Sequence, residues 1–269
     1  MSTDSYIGVF DSGIGGLTVL KEIHRQLPTA DTLYVADSAF APYGEKRAEQ
    51  IIQRCFLLTD LLIDKGARII VVACNTATAY AVNAMREKYS LPVVAMEPAV
   101  KPAVAHSRNG KVGILATSMT LASHRYALLL ERFAAETEVI EQACPGLVEQ
   151  IEKLQIDSAE TQKLLQTYLQ PLLDQQVDAL VLGCTHYPLL REQIQAICGE
   201  SVHVIDTAVA VTQELLRRLP EIGLDPKTSI GHGETRFFTS GDLKPFTAQL
   251  QCYWPYPFKP QQLQQIQLS

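Results

Sequence analysis

Short unbroken runs of Val, Ile, Leu and Ala recur along this chain, each followed by a longer stretch whose apolar residues return every three or four positions. That alternation constrains the fold more than any other feature. An apolar run without polar alternation suits a strand covered on both faces, as in parallel sheets. Parallel neighbours can be joined only by a crossover, and the amphipathic stretches supply one each time. The chain is therefore predicted to be α/β, with mostly parallel sheets. The strand candidates are Ile7–Phe10, Thr32–Ala36, Arg68–Ala73, Val93–Met96, Lys111–Ala116, Glu138–Ala143, Ala179–Gly183 and Val202–Ile205.

Helices are expected between them. Leu17, Leu20, His24 and Leu27 make one stripe, which stops at Pro28. A second helix runs from about Glu45 to Lys65, with Ile51, Cys55, Leu58 and Leu62 inward and Gly66 as its C-terminal cap. Further helices fit Thr76–Lys88, Leu121–Ala134, Ser158–Leu173, Leu189–Ile197 and Ala208–Leu219. After Pro220 the pattern is mixed, and Tyr253–Pro260, with three prolines, reads as irregular. The length, 269 residues, suits two modest domains or one large one, and two are expected here. No low-complexity linker divides them, so the chain is expected to cross between domains more than once. Residues 1–97 with 208–269 form the first, the tail packing back on it, and residues 98–207 form the second.

Charge narrows the function classes. Lys and Arg number 23 against 29 Asp and Glu, a net −6, and no basic run stands out. Nucleic acid and anionic membrane both require a basic face, so neither is expected as a partner. The opening Met-Ser-Thr-Asp-Ser-Tyr has no basic patch leading into an apolar stretch, and the most apolar run, Ile69–Ala73, is too short to cross a bilayer. A cytoplasmic protein is expected. Its six cysteines include no CxxC pair, so they are packing residues, metal ligands or chemistry.

A weak internal repeat bears on which. Ile7-Gly-Val-Phe-Asp-Ser is echoed by Val112-Gly-Ile-Leu-Ala-Thr, and Ile70-Val-Val-Ala-Cys-Asn-Thr by Leu180-Val-Leu-Gly-Cys-Thr-His. Each half thus has an opening strand ending in a hydroxyl residue and a later strand ending in cysteine. The carboxyl ends of strands are where open α/β sheets bind ligands. Cys74 precedes Asn75, Thr76 and Thr78, with Thr76 a candidate cap for the next helix, whose positive end favours thiolate. Cys184 precedes Thr185 and His186, the latter suited to pair with a thiolate or carry its proton.

Two matched thiols admit several chemistries. Zinc would use Cys74, Cys184 and His186, but no fourth ligand stands out. Disulfide redox usually has a local pair, and a single-cysteine hydrolase explains one thiol, not two. Proton exchange at a stereocentre accounts for both, one base removing a proton from one face while an acid returns one to the other. A free thiol, with a pKa of about 8.5, needs help from helix ends, backbone N–H groups and polar neighbours to do this near neutrality. The opening Asp11-Ser12-Gly13-Ile14-Gly15-Gly16 fits a strand-to-helix turn that exposes N–H groups to an anion. It is neither a dinucleotide fingerprint nor a phosphate loop. Pro42-Tyr43-Gly44 reads as a turn in which Tyr43 can offer a hydroxyl to a ligand.

Asp11-Ser-Gly-Ile-Gly-Gly, Pro42-Tyr-Gly-Glu-Lys, Ala73-Cys-Asn-Thr-Ala and Gly183-Cys-Thr-His-Tyr-Pro together resemble bacterial glutamate racemases, in order and separation, from about Ile7 to Leu219. The resemblance implies two similar α/β domains related by a pseudo-twofold axis, with the active site in the cleft between them. It implies a cofactor-independent, metal-free isomerase that interconverts L- and D-glutamate and supplies D-glutamate for peptidoglycan, commonly as a homodimer. Carried onto this sequence, Cys74 is the base acting on D-glutamate and Cys184 the base acting on L-glutamate. Asp11 assists the first thiol, and His186 partners the second. Ser12, Tyr43, Gly44, Asn75, Thr76, Thr185 and His186 match substrate-binding positions, and Thr117 and Thr120 resemble hydroxyl residues near the substrate. One departure is Glu149, which stands where relatives have a second proline after Cys144-Pro145; Glu152 still falls at the assisting carboxylate. Thr78 stands where relatives more often have Ser. The rival readings are a sister racemase acting on aspartate or a hydantoin, a silent relative with a binding role, and a zinc module.

Overall fold

The computed structural model describes residues 6–227 and 231–268. The sequence reading of Met1–Ser5 lies outside them. The strands are β1 (Tyr6–Asp11), β2 (Thr32–Ala36), β3 (Ala67–Val72), β4 (Val93–Ala95), β5 (Lys111–Ala116), β6 (Glu138–Ala143), β7 (Ala179–Leu182), β8 (His203–Ile205), β9 (Thr235–Thr239) and β10 (Leu263–Gln265). Two compact units contain them, one built from Met1–Met96 and Ala208–Ser269, the other from Glu97–Thr207.

The first unit holds a six-stranded sheet in the order β10-β9-β2-β1-β3-β4, the second a four-stranded sheet in the order β6-β5-β7-β8. Every pairing in both is parallel. The internal repeat has a topological counterpart: β2-β1-β3-β4 and β6-β5-β7-β8 are the same order, so the two echoed strand pairs sit side by side at equivalent places. Strands β1 and β2 are buried along their whole length, as their unbroken apolar character requires. Strands β6 and β10 are the exceptions, edge strands with no fully buried residue. In the second unit the core gathers Val112, Ile114 and Val181 beneath the helix residues Val100, Ala103 and Tyr126.

Several helix limits differ from expectation. The predicted Glu45–Lys65 helix is a single 3₁₀ turn, Tyr43–Glu45, followed by a helix over Ala48–Asp64. The Gln50 side chain accepts the Arg47 N–H at 3.2 Å and starts the second element afresh. Leu121–Ala134 is likewise two helices, Ser118–Leu121 and His124–Phe133, because Ser123 Oγ takes the Tyr126 N–H and begins a new one. Two short helices, Val100–His106 and Leu147–Glu152, had no distinct sequence signal. The tail is more ordered than its mixed pattern suggested. β9 lies parallel to β2 with Thr32 and Thr235 hydroxyls 2.9 Å apart, and a helix covers Leu243–Tyr253.

Candidate active site

In the first unit, Asp11 ends β1 and is fully buried. Its Oδ2 accepts the Gly16 N–H at 2.7 Å, so the glycine turn folds around its own carboxylate. The Tyr34 hydroxyl donates to the Gly13 carbonyl at 2.7 Å and clamps the turn from below. A Cβ on Gly16 would stand 2.7 Å from Asp11 Cβ and 3.0 Å from the Tyr34 hydroxyl oxygen, which is why glycine is needed there. Ser12, just past the strand, places Oγ 3.4 Å from Asp11 Oδ1 and 3.7 Å from Cys74 Sγ. Asp11, Ser12 and Cys74 thus form one connected group at the carboxyl ends of the adjacent strands β1 and β3.

Cys74 is itself the N-cap of the helix Asn75–Lys88, its sulfur accepting the Ala77 N–H at 3.4 Å. Thr76, expected to cap, lies inside the first turn instead. A backbone donor aimed at sulfur at a helix N-terminus favours the anionic form. Thr78 accepts the Met96 N–H at 3.3 Å and fixes the helix start against the end of β4. Asn75 is buried, yet neither its amide nitrogen nor its amide oxygen has a hydrogen-bond partner. Leaving such a group unmet costs about 1–3 kcal/mol, and next to a thiol this marks a place for a polar ligand.

Tyr43 is buried in its 3₁₀ turn and donates to Asp37 Oδ2 at 2.7 Å. Burial, and then the Asp37 charge, push its phenol well above the ordinary tyrosine range. The hydroxyl proton expected to serve a ligand is therefore committed to Asp37, and Gly44 follows half-buried in the same turn. Asp37 was missed by sequence reasoning. Its signal was available, because Asp37-Ser38 follows β2 as Asp11-Ser12 ends β1.

In the second unit, Cys184 follows β7 through Gly183. Its surroundings differ from those of Cys74. Cys184 does not cap a helix; its sulfur lies 3.8 Å from His186 Nδ1, and His186 Nε2 lies 2.7 Å from Glu152 Oε1. Thr185 Oγ1 is 3.5 Å from the same Nδ1. The short helix Leu147–Glu152 delivers Glu152, starting from Gly146 at φ 81°, in the left-handed region. Burial alone would push the His186 imidazole down, but the Cys184 sulfur and the Glu152 carboxylate outweigh it and hold the ring well above its usual range. At the end of β5, Thr117 caps the next helical turn by accepting the Thr120 N–H at 3.2 Å, with the two hydroxyls 2.9 Å apart.

The remaining thiols are a contrast. Burial pushes Cys55, Cys144 and Cys198 upward, Cys198 to about 11, which keeps them protonated packing residues, while Cys252 is exposed. Among the described residues, no group of three or more His, Cys, Asp or Glu is arranged to hold a metal ion, and no helix is long and apolar enough to cross a membrane. What the two groups offer is acid–base chemistry: one thiol supported by a helix N-terminus, a hydroxyl and a carboxylate, the other by an imidazole–carboxylate pair.

The chain is similar to glutamate racemases over most of its length. The glutamate racemase of Ectopseudomonas mendocina (strain ymp) is 50% identical over 248 residues, covering 91% of this chain and 92% of its own. The crystal structure of glutamate racemase isoform RacE1 from Bacillus anthracis superposes with a TM-score of 0.88 at 33% identity, covering 99% of each chain. Escherichia coli glutamate racemase in complex with L-glutamate and activator UDP-MurNAc-ala gives 0.87 at 31% identity, covering 98% of this chain and 99% of that one. The sequence pattern of the Asp/Glu/hydantoin racemases matches residues 7–215, and the chain belongs to that family.

Proposed function

We propose that this protein interconverts L- and D-glutamate by direct proton exchange at Cα, with Cys74 and Cys184 acting from opposite faces. One observation carries the reading. The two thiols follow equivalent strands, β3 and β7, of the four-strand order that the two sheets share, and each has its own proton-handling neighbours. In the D-to-L direction the Cys74 thiolate takes the α-proton and the Cys184 thiol delivers one to the other face; the reverse direction exchanges the roles. The electron pair left on Cα is delocalised into the α-carboxylate, which needs hydrogen-bond donors to bear the added charge. Asn75, with its amide unmet, is such a donor, and Asp11, Ser12, Thr76, Thr117, Thr120, Thr185, His186 and the Tyr43–Gly44 turn make up the rest of the substrate-binding set. Asp11 assists the first thiol; His186, with Glu152 behind it, assists the second.

The reading includes no metal and no cofactor, a cytoplasmic enzyme supplying D-glutamate for peptidoglycan, and a homodimer. Circular dichroism of purified protein with each enantiomer of glutamate, aspartate and a substituted hydantoin tests it. Turnover of both glutamate enantiomers and neither of the others is expected. No turnover of either glutamate enantiomer would overturn the reading. Sedimentation at micromolar concentration tests the dimer.

A further inference from the structure

Asp37 receives more hydrogen bonds than its place behind Tyr43 would require. Its Oδ2 accepts from the Tyr43 hydroxyl at 2.7 Å and from Arg54 Nε at 2.9 Å; its Oδ1 accepts from the Ser240 hydroxyl at 2.6 Å and from a terminal nitrogen of Arg54. The carboxylate is completely buried, and among the described residues these four donors fill its four accepting positions. The donors come from distant parts of the chain. Arg54 lies on the helix Ala48–Asp64 and Ser240 directly after β9, and the other terminal nitrogen of Arg54 reaches the Leu268 carbonyl at 3.4 Å. The Arg54 guanidinium also lies 5.1 Å from the centre of the Phe40 ring, which packs edge-on against Tyr43 at 5.9 Å. The turn carrying Tyr43 and Gly44 is thus tied, through one carboxylate, to the last strands of the chain.

We propose that Arg54 and Ser240 are positioning residues for substrate binding, which act through Asp37 and Tyr43 to hold the Tyr43–Gly44 turn ready for its ligand. This rests on the glutamate reading above, in which that turn is part of the binding set. Loosening the anchor leaves the thiols untouched but makes the turn pay ordering entropy when substrate arrives, so affinity falls and the chemical step does not. A purely structural role would instead lower the amount of active enzyme and leave KM where it is.

The test compares Arg54→Lys, Arg54→Met and Ser240→Ala with the parent protein, in full-length form, by steady-state kinetics and by backbone hydrogen exchange. Arg54→Lys keeps the charge and loses the fork. It is expected to raise KM for both glutamate enantiomers about tenfold or more, the scale of one lost charge-assisted hydrogen bond, with kcat nearly unchanged. Ser240→Ala removes one hydroxyl donor from the carboxylate and leaves the other three, so it is expected to raise KM less, about two- to threefold, and Arg54→Met more than either. Amides of Tyr43–Glu45 should exchange faster in all three, while those of β3 do not. Parent values of KM in both Arg54→Lys and Ser240→Ala would overturn the inference, and these two decide it if Arg54→Met does not fold. Should the parent protein fail to racemise glutamate, the glutamate reading falls, and exchange at Tyr43–Glu45 alone then decides the anchor: unchanged exchange overturns it.

Discussion

At the residue scale the two thiols have different supports, and this sets what their variants should do. Cys74→Ala and Cys184→Ala are each expected to abolish racemisation, since the proposed mechanism assigns one thiol to each face of Cα; near-parental turnover in either would contradict the two-base assignment. Enantiomers have equal free energy, so kcat/KM stays equal in the two directions in every variant. Asymmetry is instead visible in isotope effects. Cys74→Ser should enlarge the α-deuterium effect for one enantiomer and Cys184→Ser for the other, and matching effects in both variants would argue against opposite faces. His186 adds a pH dependence. Its folded-state pKa is raised, so the stability it contributes is complete below about 6.5, the unfolded value, and is lost as pH climbs through the folded value. Urea denaturation should therefore show the gap between parent and His186→Gln narrowing from pH 6 to pH 9. A gap independent of pH would mean that the ring stays neutral.

At the scale of elements, the sites depend on close backbone approach. A Cβ on Gly183 would sit 2.8 Å from the Leu115 carbonyl oxygen of the neighbouring strand, a backbone atom that cannot swing away. Gly183→Ala is expected to cost about 1–3 kcal/mol, the usual range for overpacking, with a fall in the urea midpoint and in turnover; an unchanged midpoint would show that β7 can shift without loss. This scale also separates what was legible in the sequence from what was not. Strands β1 to β5 and β7 could be read because burial on both faces demands unbroken apolar runs. β9 could not: Thr235-Arg-Phe-Phe-Thr is short and carries a charge, and its place beside β2 is decided by a partner some two hundred positions away. The cap on the helix after β3 was assigned to Thr76 because hydroxyls are the usual caps, whereas the backbone brings the Cys74 sulfur round to Ala77. Glu152 was placed by resemblance alone; its 2.7 Å approach to His186 depends on a short helix the periodicity did not reveal. The Asp-Ser pair after β2 could have pointed to Asp37, but its link to Arg54 was not legible, because nothing local joins an aspartate after one strand to an arginine within the next helix.

At the scale of the whole molecule, two sheets of matching order carry one thiol each, and the chemistry proposed needs nothing beyond them. Dialysis against a strong chelator, followed by assay in metal-free buffer, is expected to leave turnover intact. Loss restored by a divalent ion would reveal a metal requirement.

The discontinuity of the first unit also has a temporal side. Residues 97–207 leave the ribosome as one uninterrupted segment and have all four of their strands as soon as they emerge. The older half must wait. Its β2 edge stays bare until residues 235–239 have been made, and the hydroxyl that completes the Asp37 cluster belongs to residue 240. A later segment thus completes an earlier one, and a nascent chain that has not reached residue 240 lacks the Ser240 hydroxyl on Asp37, behind the Tyr43–Gly44 turn.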